Sequence, residues 1–251
     1  GLIRHNAQNA SRIVVELHYL PRSSWRRRQW AKYLRLTPMV VCVTQQLKRD
    51  LISMGLDASQ IHVAPDAVDW DTFNTMLGKS QARKKLGLPA KCLIAAFVGK
   101  FHTAGNEKGI PEIIRASKYL IPKFKELFFY FVGGPVEVHS SLHNQVKSYR
   151  RLIHELKLPS DRFIFLEKQP VKEVPLWLKA SDLLLMPHPK TEFYSNHVSP
   201  LKMFEYMASK RPIVASRLPA IEEILTDKQN ALLGEPGCPE DIAKNIETAL
   251  S

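Results

Sequence analysis

The chain has 251 residues, 45% of them hydrophobic and 24% charged, with a formal net charge of +12 and a pI near 9.6. That balance is enough for one large or two small hydrophobic cores, and it excludes a disordered or fibrous chain. No window approaches the run of about 18 apolar residues that a transmembrane helix needs, and the opening GLIRHNAQNA lacks the apolar core of a signal peptide. Cys42, Cys92 and Cys238 are isolated, without CxxC spacing, so neither a zinc site nor a disulfide framework is predicted. A reducing, cytoplasmic compartment is the expectation. Residues 1–50 hold ten Lys or Arg against Glu16 and Asp50, which is +8 of the +12. A patch of that kind implies an anionic surface or substrate.

In chain order, Arg12–His18 reads as a buried strand, Ser24–Arg35 as a basic helix with Trp25 and Trp30, and Met39–Thr44 as a short apolar strand. Gln45–Met54 reads as a helix stopped by Gly55, and Gln60–Ala64 as a third strand. Pro65–Asp69 then breaks regularity and is the expected domain joint. Beyond it, strands and helices alternate. Helices are predicted at 81–86, 111–120, 138–156, 171–180, 200–208, 220–225 and 239–250. Strands are predicted at 93–98, 127–132, 162–166, 183–186, 212–215 and 231–233. Such alternation predicts an α/β fold with a parallel sheet covered on both faces.

Three places carry candidate chemistry. The stretch His197–Ser216 reads as loop, helix and buried strand, with Ser199 as N-cap and Pro200 at the first helical position. A capping box would want Glu or Gln at the third position, but Lys202 stands there. The helix start keeps its positive end and gains a cation, which suits a phosphate. Glu205 lies beside the stripe Leu201, Phe204 and Ala208, where a carboxylate is costly unless something polar meets it. It reads either as a dipole-stabilised helix residue or as a ligand contact. The second place is Gly99-Lys100 at the end of the strand FV, with Lys108-Gly109 just before the next helix. Ligands bind outside the carboxyl ends of parallel strands, and two lysines there would flank a diphosphate. As an isolated pair they read as solvated loop lysines. The third is His18 at the end of the first strand, read either as a structural histidine or as one facing the same crevice.

PLKMFEYMASKRPIVAS resembles the donor-site signature of the retaining, family 4 type glycosyltransferases (glycosyl transferases group 1), which have the two-domain GT-B fold. The resemblance covers nearly the whole chain. It implies two Rossmann-like doubly wound domains: residues 1–68 the later half of an N-terminal acceptor domain, and 69–251 the C-terminal nucleotide-sugar domain. Pro65–Asp69 resembles the family's Pro-Asn-Gly-Val-Asp turn, with Asp66 and Ala67 replacing Asn and Gly. The resemblance also implies an incomplete chain, lacking roughly a hundred residues in front and the C-terminal helix that usually crosses back.

The family signature is a Glu, seven residues, then a second Glu. Glu205 takes the second place and would hold the ribose; the first falls on His197, which would hydrogen-bond the donor sugar, with Glu192 as a spatial substitute. Val198, Ser199 and Lys202 would hold the diphosphate, with Gly99, Lys100 and Lys108 opposite them. Gly133-Gly134 resembles the family's glycine turn, and Glu167–Val171 the loop that meets the base, Val171 ending it. His18, Lys100, Lys108 and Glu205 are the implied catalytic group. The implied reaction moves a sugar from a nucleotide-diphosphate sugar to a glycan or lipid-linked acceptor with retention of configuration. No metal and no cofactor is expected. Residues 22–35 are expected to dock on an anionic membrane on its cytoplasmic side, whereas RNA-type stacking patterns are absent. The competing readings are a basic binding module on a degenerate GT-B fold and another GT-B enzyme such as a sugar-nucleotide epimerase.

Overall fold

The computed structural model describes residues 12–21, 23–103, 105–134, 143–197 and 199–251. They form two compact units. The first comprises residues 1–67 together with 190–200 and 218–224, and the second comprises 68–189, 201–217 and 225–251. The sequence reading places one cut after residue 68. The two later segments in the first unit leave no composition mark that would announce them.

The first unit carries a parallel sheet of β1 (Val14–Leu17), β2 (Met39–Cys42) and β3 (Ile61–Val63), in that order. Between β1 and β2 runs α1 (Ser24–Leu34), and between β2 and β3 runs α2 (Gln45–Ser53). Thr44 caps α2, its hydroxyl accepting the Leu47 N–H at 3.1 Å. Val40, Cys42, Leu47, Leu51 and Ile61 form the buried core against Ala31 and Leu34 of α1. Among the described residues β1 pairs with β2 alone, and Val14 is exposed. A short helix, α9 (Pro219–Glu222), also belongs to this unit.

The second unit is built on six parallel strands. They are β4 (Leu93–Val98), β7 (Leu127–Gly134), β8 (Phe163–Glu167), β9 (Leu183–Met186), β10 (Ile213–Ser216) and β11 (Leu232–Gly234). Their spatial order is β11-β10-β9-β4-β7-β8. The chain moves outward from β4 through β7 to β8, then returns to the other side of β4 with β9. The crevice between β4 and β9 is therefore a topological switch point, where parallel sheets bind ligands. Both faces are covered. Phe129 and Phe131 of β7 join the core under α5 (Ile110–Leu120), α6 (His143–Glu155) and α10 (Pro239–Leu250), while the alternate Tyr130 packs on Trp177 of α7 (Val174–Ala180). In α5 the residues Ile110, Ile113, Ile114, Ser117 and Leu120 recur at helical spacing and are all buried. The remaining helices are α3 (Trp70–Phe73), α4 (Lys79–Lys85) and α8 (Leu201–Ser209). Arg83 of α4 is buried, and its guanidinium pairs with Asp182 at 2.7 Å while donating to the carbonyls of Ala180 and Cys92. That network ties α4 to the entry of β9.

Several expectations are corrected. A hairpin, β5 (His102–Thr103) with β6 (Asn106–Glu107), stands where a plain polar loop is predicted. Gly133 and Gly134 belong to β7 as a bulge and not to a turn after it, since the register with β8 shifts between Val132 and Gly134. The predicted helix 171–180 opens as a single 3-10 turn, Val171–Glu173, before α7. The start of the predicted helix 138–156 lies outside the described residues.

Candidate functional site

Gly99, Lys100, Lys108, Gly133, Lys202 and Glu205 all belong to the second unit, around the carboxyl ends of its central strands. Gly99 follows β4 with φ +133°, and Gly133 near the end of β7 has φ +116°. A Cβ on Gly133 would lie 2.6 Å from the Gly99 carbonyl oxygen, so only glycine lets the two strand ends approach this closely. Above Gly99 sits the ammonium of Lys202, 3.5 Å from the centroid of the Phe97 ring. Lys202 is buried, and its Nζ has no hydrogen-bond partner among the described residues. A buried cation facing only an aromatic ring is an incomplete arrangement.

Helix α8 brings Lys202 and Glu205 to this place because Tyr206 pins it. The Tyr206 hydroxyl accepts the Val98 N–H at 2.8 Å and lies 3.1 Å from the Val98 carbonyl and 3.3 Å from that of Leu185. One side chain thus bridges the ends of β4 and β9. The inward face of α8 is Lys202, Met203, Tyr206, Ala208 and Ser209, while Leu201 is exposed. The expected apolar stripe through Leu201 and Phe204 is therefore displaced around the helix, leaving Glu205 half-buried at its margin.

The β5–β6 hairpin carries the chain from Lys100 to Lys108. Gly109, with φ +88°, starts α5; a Cβ there would sit 1.8 Å from the Pro187 carbonyl oxygen. Lys100 is exposed and Lys108 half-buried. Burial, then the neighbouring Lys100 charge, push Lys108 down to about 8 despite Glu107 and Glu205. Burial and the Lys108 charge also hold Lys202 well below the usual lysine range, with Glu205 and Glu107 opposing. Burial raises the Glu205 carboxyl, and Lys202 and Lys108 offset part of the rise. Two cations at depressed pKa beside a carboxylate make a site that gains when an anion enters and shares the positive charge.

The other predicted residues lie elsewhere. His18 is exposed in the first unit, its Nε2 2.9 Å from a Glu16 carboxylate oxygen and its Nδ1 3.7 Å from Asp66 Oδ1. Ser199 lies two residues before α8, which begins at Leu201, and its Oγ accepts the Asp66 N–H at 2.9 Å within the first unit. Val171 is exposed at the 3-10 turn. His197 ends the π-turn Phe193–His197 in the first unit. Val198 lies outside the described residues. Glu192 is exposed and approaches Arg27 at 3.5 Å.

Three residues at the site escape the sequence reading: Glu107, His188 and Tyr206. His188, after β9, is fully buried, and burial together with Lys202 and Lys108 drives its imidazole well below its ordinary value. The acidic residue two places before the Gly-started helix was the signal available for Glu107.

The family described as "Glycosyl transferases group 1" matches residues 93–251. This chain belongs to that family. Among curated relatives, it is 26% identical over 226 residues to a 2-deoxystreptamine glucosyltransferase of Streptomyces kanamyceticus, covering 88% of this chain and 53% of that protein. It is 29% identical over 219 residues to a D-inositol 3-phosphate glycosyltransferase of Corynebacterium aurimucosum, covering 84% and 48%. Among solved structures, a glycosyltransferase from Rickettsia africae superposes with TM-score 0.76 at 17% identity, over 94% of this chain and 60% of that one. Anabaena Alr3699/HepE, in complex with UDP and glucose, gives 0.73 at 22%, over 95% and 61%. These likenesses establish the GT-B type fold. The chain spans about half the length of the curated relatives it matches. All six clustered residues fall inside the group 1 match, and His18 falls outside it.

Proposed function

We propose that this chain carries the donor side of a retaining glycosyltransferase that uses a nucleotide-diphosphate sugar, with residues 1–68 on the acceptor side and 69–251 on the donor side. The observation that carries this reading is Lys202: a buried ammonium without a hydrogen-bond partner, beside Lys108 and Glu205, at the switch point of a parallel sheet. Lys202, Lys108 and Lys100 would receive the diphosphate and neutralise charge gathering on the leaving nucleotide. Glu205 would accept from ribose hydroxyls. Gly99 and Gly133 let the two strand ends close up beneath the Lys202 ammonium. The lysines supply the positive charge without a metal ion. A UDP complex of a structural neighbour supports a nucleotide-diphosphate donor. His18, His197, Val198, Ser199 and Val171 enter as proposed contacts on the family resemblance alone.

The acceptor we assign to the glycan or lipid-linked class, reached at the cytoplasmic face of a membrane. Trp25 is 65% exposed on α1, with Arg26, Arg28 and Lys32 also exposed. Among the described residues no helix is long and apolar enough to cross a membrane.

Calorimetric titration of the full chain with UDP tests the donor assignment. Wild type should bind, and Lys108→Ala should weaken binding by about 1.5–3 kcal/mol, the worth of a charge-assisted contact. A folded wild-type chain that ignores UDP would overturn the reading and favour a binding module.

A further inference from the structure

Helix α5 has eleven residues, and its start should be a natural anion site beside the two lysines. It is not open to one. The Glu107 carboxylate accepts the Gly109 N–H at 2.5 Å through one oxygen and the Ile110 N–H at 2.9 Å through the other. Pro111 has no N–H to offer. Glu112 adds a second carboxylate in the first turn. The Tyr149 hydroxyl of α6 donates to Glu107 at 3.2 Å. Burial raises the Glu107 carboxyl, and the hydrogen bonds from Gly109, Ile110 and Tyr149 oppose that rise; both oxygens accept, the pattern of an ionised group.

We propose that Glu107 is a positioning residue of the donor site: it closes the start of α5 to phosphate and fixes a negative charge next to Lys108. This rests on the reading that Lys108 and Lys202 receive the diphosphate. The groups around them come from five elements. Lys100 lies before the hairpin and His102 in it, and His188 follows β9. Glu205 is on α8, and Glu112 and Tyr149 flank Glu107 itself on α5 and α6. Of the carboxylates, Glu107 and Glu205 support the lysine charges. Glu205 is already committed to the nucleotide, so Glu107 is the one whose charge stays constant through binding. It also holds the backbone on either side of Lys108, so charge and geometry depend on the same carboxylate.

The test is UDP titration of the full chain at pH 6.5 and pH 8.5, comparing wild type with Glu107→Gln, Glu107→Asp and Tyr149→Phe. Removing the negative charge lets the lysines lose protons at lower pH. Glu107→Gln should therefore bind UDP about tenfold more weakly than wild type at pH 8.5, the effect of about one pKa unit, and equally well or better at pH 6.5. Glu107→Asp, which keeps the charge, should keep the wild-type pH midpoint even if its overall affinity changes. Tyr149→Phe, which removes one of the hydrogen bonds that favour the charged carboxylate, should move the profile in the same direction as Glu107→Gln and by less. An equal loss at both pH values, or none, makes Glu107 a purely structural cap and ends the proposal. If Glu107→Gln does not fold, a shifted midpoint in Glu107→Asp ends it instead. Wild type that fails to bind UDP at either pH sinks the donor reading beneath it, a different outcome from a wild type that binds while the variants match it.

Discussion

Lys202 takes an ammonium into the interior, 3.5 Å from the centroid of the Phe97 ring and without a hydrogen-bond partner among the described residues. The energetic consequence runs against stability, because a buried polar group without a hydrogen bond costs about 1–3 kcal/mol in proteins. Methionine has a similar length and no charge, so it can fill the same space over Phe97 and Gly99 without the desolvation cost. Lys202→Met should raise the unfolding free energy by roughly that 1–3 kcal/mol while abolishing UDP binding. Urea denaturation and calorimetry on one preparation read both quantities. A variant that is less stable and still binds would make Lys202 a core residue that happens to be charged. Stability and binding pulling in opposite directions is the mark of a side chain kept for a ligand.

At the scale of elements, α8 is placed by Tyr206 and not by its own start. Val98, Leu185 and the hydroxyl form one buried hydrogen-bonded knot at the ends of β4 and β9. Tyr206→Phe leaves the Val98 N–H without its acceptor, which should cost about 1–3 kcal/mol of stability by chemical denaturation and loosen UDP binding with it. A neutral substitution would show that the packing of Met203 and Ala208 alone holds the helix. The strands were legible because runs such as LIAAFV and LLLM are continuously apolar, as strands covered on both faces must be. The four charged residues Lys100, Lys108, Lys202 and Glu205 were singled out by the family resemblance; by pattern alone the loop lysines read as solvated and Glu205 as either a helix residue or a ligand contact, and the fold brings all four into the second unit. A serine before Pro-Leu-Lys is a good cap locally, and only the folded chain reveals that its hydroxyl also serves Asp66. The hairpin was missed because two-residue strands of polar sequence carry no period. Glu107 carried one signal, an acidic residue just before a helix start, whereas His188 matters through burial that nothing in its flanking residues announces.

For the whole molecule, the surplus of positive charge in the first fifth of the chain is only partly free. Arg35 caps the end of α2, donating to the carbonyls of Met54 and Gly55 at 2.7 and 2.9 Å. Arg27 donates to the Pro21 carbonyl at 2.7 Å. Trp30 packs against the first unit's core, with Tyr19 at 6.3 Å, which leaves Trp25 as the exposed anchor of the expected pair. The surface that remains is Arg26, Arg28 and Lys32 around Trp25. Vesicle co-sedimentation should require acidic lipid and fall with salt, and Arg28→Glu with Lys32→Glu should weaken it by roughly 1 kcal/mol for each basic residue lost. Binding to neutral and acidic vesicles alike, or retention on RNA instead, would remove the membrane from the account. The first unit has one further property with a practical side. Among the described residues β1 is paired on the β2 flank alone, so its other flank offers a line of peptide groups beside an exposed Val14. Concentrated solutions of such a chain invite strand-to-strand polymerisation, so turbidity on storage would trace to this margin before any loss of the fold. A gatekeeping lysine at Val14, in the unit remote in sequence from the nucleotide cluster, is the substitution that would keep the protein dispersed for every titration described above.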